Sequence, residues 1–146
     1  MKYLLILSCL LFTSVGWSKD VSMDDLVQRD GLYYEKNSDV PFTGNILWYA
    51  YKDKNIITIK VSYKDGKREG EYLEYYENGQ LRFKRNYKDG KLEGEYLIYY
   101  ESGQLKKKNN YKNGKRDGEN IHYWENGQLY KTEIYKDGEL IETIKP

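Results

Sequence analysis

The chain has 146 residues, 32% of them charged, with a formal net charge of +1. That is one domain's worth of sequence, and neither sign is in enough excess to draw nucleic acid or an anionic membrane over long range. Only 39% is hydrophobic and much of that is tyrosine, which argues against a dense aliphatic core, while an aromatic fraction of 16% argues against disorder.

Residues 1–18, "MKYLLILSCLLFTSVGWS", carry one Lys, an apolar run from Tyr3 to Phe12 and the small-x-small close Gly16-Trp17-Ser18. This is the layout of a secretory signal peptide with cleavage after Ser18, and the run is too short to span a bilayer. A lipoprotein signal using Ile6-Leu7-Ser8-Cys9 is the rival, but it would leave Leu10, Leu11 and Phe12 at the start of the mature chain. Export therefore predicts a periplasmic or extracellular protein. Losing Lys2 and Cys9 leaves it with zero net charge and no cysteine for a disulfide.

Residues 19–43 form an N-terminal segment. A short helix is predicted over Ser22 to Arg29, where Ser22 and Asp25 can cap, followed by an opening strand from Leu32 to Glu35. From residue 44 to 146 the chain repeats. Gly66, Gly90, Gly114 and Gly138 form one series, Gly70, Gly94 and Gly118 a second, and Gly79, Gly103 and Gly127 a third, each with a step of 24 residues. Residues 71–94 and 95–118 are identical at 16 of 24 positions. Units are expected at about 44–69, 70–93, 94–117 and 118–141; a period of this length signals stacked repeats. The first unit is degraded, with Lys54-Asn55 where later units have Asn-Gly or Ser-Gly, and it spends 26 residues between Gly44 and Gly70.

Each unit reads as two strands, such as Glu71 to Tyr76 and Leu81 to Tyr87, with turns at Asn78-Gly79 and Asp89-Gly90. Ser102 replaces Asn78 in the next unit, and serine tolerates positive φ poorly. A three-residue loop, Glu77-Asn78-Gly79, asks only glycine to be left-handed and pairs Tyr75 with Leu81. Strict alternation then puts Leu73, Tyr75, Leu81 and Tyr87 on a core face, with Leu97, Tyr99, Leu105 and Tyr111, then Ile121, Tyr123, Leu129 and Tyr135, after them. The opposite face pairs Glu74 with Arg82 and Tyr72 with Lys84. The fold predicted is all-β: an extended, twisted antiparallel hairpin meander in a single layer.

"GEYLEYYENGQLRFKRNYKDGKLEG", with "PFTG" at Pro41 to Gly44 ahead of it, resembles the bacterial variant of the MORN repeat, of the YwqK type that carries an antitoxin-like label. The resemblance covers Gly31 to about Ile141. It departs from the standard pattern at Tyr72, where a second opening glycine belongs. The second strand also lacks a glycine and is one residue longer. The resemblance implies a hairpin meander, partner binding or membrane-associated scaffolding, and, through the label, neutralisation of a toxin. For an exported chain the last would mean an immunity factor acting outside the inner membrane.

No cofactor, metal or catalytic residue is predicted. His122 is the only histidine and aligns with Glu74 and Ile98, so it reads as a solvated strand residue. Glu77, Glu101 and Glu125 recur as turn residues, and no cluster has metal-ligand spacing. The basic run Lys106-Lys107-Lys108, with Arg82, Lys84 and Arg85 before it, reads as a charge-paired face rather than a nucleic-acid site. The candidate binding feature is an aromatic stripe: Tyr76, Tyr100 and Trp124 at ~10 Å spacing, flanked by Tyr72 and Tyr96. It suits another protein or an envelope component; charge gives no sign of membrane association. The same row can instead simply shield the open face of a single-layer sheet. The leading expectation is a non-enzymatic scaffold that presents a surface, with an immunity factor and an envelope structural protein as the alternatives.

Overall fold

The computed structural model describes residues 19–50, 53 and 56–146. The signal-peptide expectation and the Lys54-Asn55 turn lie outside the described residues. The elements run β1 (Asp20–Ser22), a 3-10 turn (Met23–Asp25), β2 (Leu26–Arg29), β3 (Leu32–Glu35), β4 (Gly44–Tyr49), β5 (Ile57–Lys64), β6 (Lys67–Tyr75) and β7 (Leu81–Lys88). They continue with β8 (Lys91–Tyr99), β9 (Leu105–Lys112), β10 (Lys115–Arg116), β11 (Gly118–Tyr123), β12 (Leu129–Lys136) and β13 (Glu139–Ile144). Among the described residues, β4 to β13 form one antiparallel meander in chain order, and β1 joins its N-terminal edge by parallel pairing with β4.

The helix expected over Ser22 to Arg29 is a single 3-10 turn. Ser22 caps it by accepting from the Asp24 N–H. Leu26–Arg29 then becomes a strand, because Asp30-Gly31, both at positive φ, turns it back onto Leu32–Glu35. This hairpin forms its own two-stranded sheet and does not open the long one.

Two kinds of turn set the 24-residue beat. Asp65-Gly66, Asp89-Gly90, Asn113-Gly114 and Asp137-Gly138 all have positive φ at both residues, the geometry that joins adjacent strands with matching twist. At the other end the loop is three residues. Tyr76 N–H donates to the Gln80 carbonyl at 2.8 Å, and within the loop it is Gly79, at φ 83°, that is left-handed. The first unit closes in the same way, with Ala50 N–H donating to the Ile56 carbonyl. Two extra loop residues account for its 26-residue spacing.

The face assignment needs correction. Tyr75 does pair with Leu81, but Glu74 is opposite Phe83, so Arg82 is an extra, bulged residue. The same shift recurs at Ile98/Tyr99 and His122/Tyr123, and at Trp48/Tyr49 in the first unit. One inserted residue exchanges the faces of the rest of the strand. Tyr72 therefore pairs with Arg85, not Lys84, and Tyr87 shares the face of Tyr72 and Phe83 rather than that of Leu73. The bulge is the residue by which the second strand exceeds the standard repeat.

The core is correspondingly elsewhere. Val21, Leu26, Phe42, Ile46, Val61, Tyr63 and Tyr72 cluster on the Tyr72 face at the N-terminal end. There the segment before β4 supplies the second layer that a lone sheet lacks. On the Leu73 face, expected to be the core, Leu73, Tyr75, Leu81, Leu97, Tyr99, Leu105, Ile121 and Tyr123 are only half-buried and Leu129 is exposed, while Leu47 at the N-terminal end is buried. Gly44 sits where this cover meets the sheet. Its φ is 152°, and a Cβ there would overlap the Lys19 carbonyl and stand 2.8 Å from Phe42 Cζ.

Candidate functional site

Beyond the N-terminal cover, the Tyr72 face is lined by rings. Tyr72 packs on Tyr87 at 6.4 Å between centroids, Phe83 on Tyr96 at 5.9 Å and Tyr96 on Tyr111 at 6.1 Å. The Arg85 guanidinium lies 3.9 Å over Tyr72 and 5.4 Å from Tyr96, sharing its charge between two units. Burial pushes the Tyr72 and Tyr96 phenols above their usual range. These two residues of the predicted stripe are thus packing residues.

Tyr76 and Tyr100 have a different place. The Tyr76 hydroxyl donates to the Tyr99 carbonyl at 2.8 Å, and the Tyr100 hydroxyl donates to the Tyr123 carbonyl at 3.0 Å. Each reaches from its own hairpin to the backbone of the next. The bulge residue then covers each ring: the Arg82 guanidinium stands 5.6 Å from Tyr76 and the Lys106 ammonium 4.9 Å from Tyr100. In the fourth unit the pair is Trp124 and Tyr130, 4.4 Å apart. Trp124 is 52% exposed, the most open aromatic ring of the described residues.

Between the third and fourth units this face holds a groove of about 280 Å³. Tyr100, Trp124 and Tyr130 form its aromatic wall, and Lys106, Lys107, Lys131 and His122 bring the charge. His122 is not the solvated residue expected. Its side chain is 12% exposed, and Nε2 lies 3.1 Å from Glu133 Oε2. Glu133 also takes Lys131 on its other oxygen and the Tyr135 hydroxyl at 3.4 Å. Burial and the neighbouring Lys107 charge push the imidazole pKa down, so it is neutral near pH 7. The Lys131 hydrogen bond holds the Glu133 carboxyl below its ordinary range. This cluster was missed because its two central members do not recur: Glu133 aligns with Arg85 and Asn109, and His122 with Glu74 and Ile98.

The turns add a repeated carboxylate clamp. Glu69 Oε2 accepts the Asp89 N–H and Glu93 Oε2 accepts the Asn113 N–H, each at 2.7 Å; Asp117 accepts the Asp137 N–H at 3.2 Å. Thr43 does the same for Asp65 in the first unit. Among the described residues no group of three or more His, Cys, Asp or Glu can hold a metal ion, and no helix is long and apolar enough to cross a membrane.

No curated protein matches the chain. The MORN repeat variant matches it at residues 68–89, 92–113 and 116–137. The first two matches start in β6 and β8 and the third in β10, just ahead of β11, and each ends at a two-residue turn. MORN repeats are a non-catalytic repeat type and generally bind proteins or membranes. The hairpin array from 68 to 137 is therefore a set of three consecutive MORN repeats of the variant type.

Proposed function

We propose that this chain is an exported, non-enzymatic repeat scaffold that works by presenting the Tyr72 face of its C-terminal units to a protein partner. Export is supported by the signal-peptide layout of residues 1–18. The docking reading is carried by one observation: Trp124 stays half exposed, stacked on Tyr130, although the equivalent Tyr76 and Tyr100 rings are held to the next hairpin. Exposed, rigid aromatics next to cations are the usual anchors of protein interfaces.

A structural reading competes for the rest of the stripe. The hydroxyl bonds of Tyr76 and Tyr100 favour a role in holding hairpins together. Changing all three stripe residues at once would confound the two roles, so the discriminating variant is Trp124→Ser. Affinity capture from envelope fractions, comparing the wild type with this variant, is expected to lose a specific partner with the fold intact. An unchanged set of captured proteins would leave the chain as an envelope structural element without a ligand.

A further inference from the structure

Residues 71–94 and 95–118 differ at eight positions, and four of those lie together on the Tyr72 face: Glu74/Ile98, Arg82/Lys106, Phe83/Lys107 and Arg85/Asn109. The exchanges have a physical direction. In the first of these units Arg82 pairs with Glu74 at 3.1 Å. In the second, Ile98 removes that acid and Lys107 adds another cation. Four lysines of the array are ion-paired, Lys84 with Glu71, Lys108 with Glu95, Lys131 with Glu133 and Lys136 with Asp117, whereas the exposed Lys64, Lys67, Lys88, Lys91, Lys112 and Lys115 beside the two-residue turns are not, among the described residues. Lys106 and Lys107 have no ion-pair partner among the described residues, and none of the residues lining the groove is a carboxylate. Two uncompensated ammonium groups thus stand against an exposed Trp124–Tyr130 pair.

We propose that this groove binds an acidic segment of a partner protein. Lys106 and Lys107 take its carboxylates, and Trp124 with Tyr130 takes an apolar side chain beside them. The inference rests on the docking reading above and names the partner's chemistry. About 280 Å³ is below the usual small-molecule range of roughly 300–1,000 Å³ and suits one or two side chains. Ammonium groups act as point charges. They fit single anionic oxygens without demanding planar two-point geometry.

The test uses the indole N–H signal of Trp124 in the full chain, identified by its loss in Trp124→Phe. A capped peptide alternating glutamate and phenylalanine is titrated, beside its glutamine counterpart. The glutamate peptide is expected to shift the signal saturably and in a salt-sensitive way. Lys106→Gln with Lys107→Gln should weaken it roughly tenfold, the combined size of two exposed ion pairs. Both substitutions keep the side-chain stems, and an otherwise unchanged amide spectrum shows that the fold is kept. Equal binding of the glutamine peptide overturns the inference and leaves the docking reading standing. No shift with either peptide overturns it too, and the Trp124→Ser capture then judges docking by itself. Tighter binding to vesicles of an anionic phospholipid or to a sulfated polysaccharide also overturns it.

Discussion

The hydroxyl of Tyr76 donates to the carbonyl of Tyr99, 23 residues away and in the next hairpin, at 2.8 Å. Tyr100 repeats the bond to Tyr123. A tyrosine in one unit thereby completes the backbone hydrogen bonding of its neighbour, which links the units beyond their shared ladder. Tyr76→Phe and Tyr100→Phe should each cost about 1 kcal/mol, the net worth of one such bond. Urea denaturation is the measurement. Tyr130→Phe, whose hydroxyl has no hydrogen-bond partner among the described residues, should be neutral.

Arg85 occupies the centre of the ring file, over Tyr72 and near Tyr96. Arg85→Ala removes three cation–π contacts, to Tyr72, Tyr87 and Tyr96, and the stem that packs between the rings. A loss of about 1–2 kcal/mol is expected, with a weakened near-ultraviolet tyrosine circular dichroism signal. An unchanged midpoint would mean that the guanidinium is incidental to the file.

At Gly44 any side chain meets the Lys19 carbonyl and the Phe42 ring, and the backbone is left-handed as well. Gly44→Ala should destabilise by more than about 1 kcal/mol and detach β1 from β4. Faster hydrogen exchange at Asn45, whose N–H donates to the Lys19 carbonyl at 2.7 Å, would report it. Gly90→Ala, with no atom within 4 Å of the new Cβ, carries only the φ strain and should cost less.

The His122–Glu133 pair gives the fourth unit an acid sensitivity. The folded imidazole has a pKa below its ordinary 6.5, so as pH falls through 6.5 the unfolded chain takes up a proton that the folded one refuses. Stability then declines with falling pH until the folded pKa is passed. Glu133 acts in the same direction further down. Its depressed pKa stabilises above the ordinary 4.5, and that contribution is lost as pH falls through the lower folded value. Denaturant midpoints measured between pH 7.5 and 5.5, about one unit either side of the histidine's ordinary value, should fall for the wild type. They should fall less for His122→Gln.

Much of this fold was legible in residue types alone. Ser102 in place of Asn78 selects the three-residue loop, and Asp89-Gly90 marks the two-residue turn. The same Asp-Gly signal at Asp30-Gly31 marks the β2–β3 hairpin, where the capping pattern at Ser22 points instead to a helix. The faces were not legible by counting in twos, because Arg82 is bulged and everything after it changes sides. The site was hidden for a related reason: repeat comparison highlights what recurs, whereas His122 and Glu133, and the ion-pair acid missing beside Lys106, matter through not recurring. Their signal was there, as the loss of Glu74 at Ile98 beside an unchanged cation position.

The most direct test of the account is to place a photo-reactive phenylalanine at Tyr130 or at Leu129, adjacent residues on opposite faces of β12 and both exposed. Irradiation in intact cells should give a protein adduct from position 130 and none from position 129. Adducts from 129 alone, or from neither position, would contradict a working surface on the Tyr72 face.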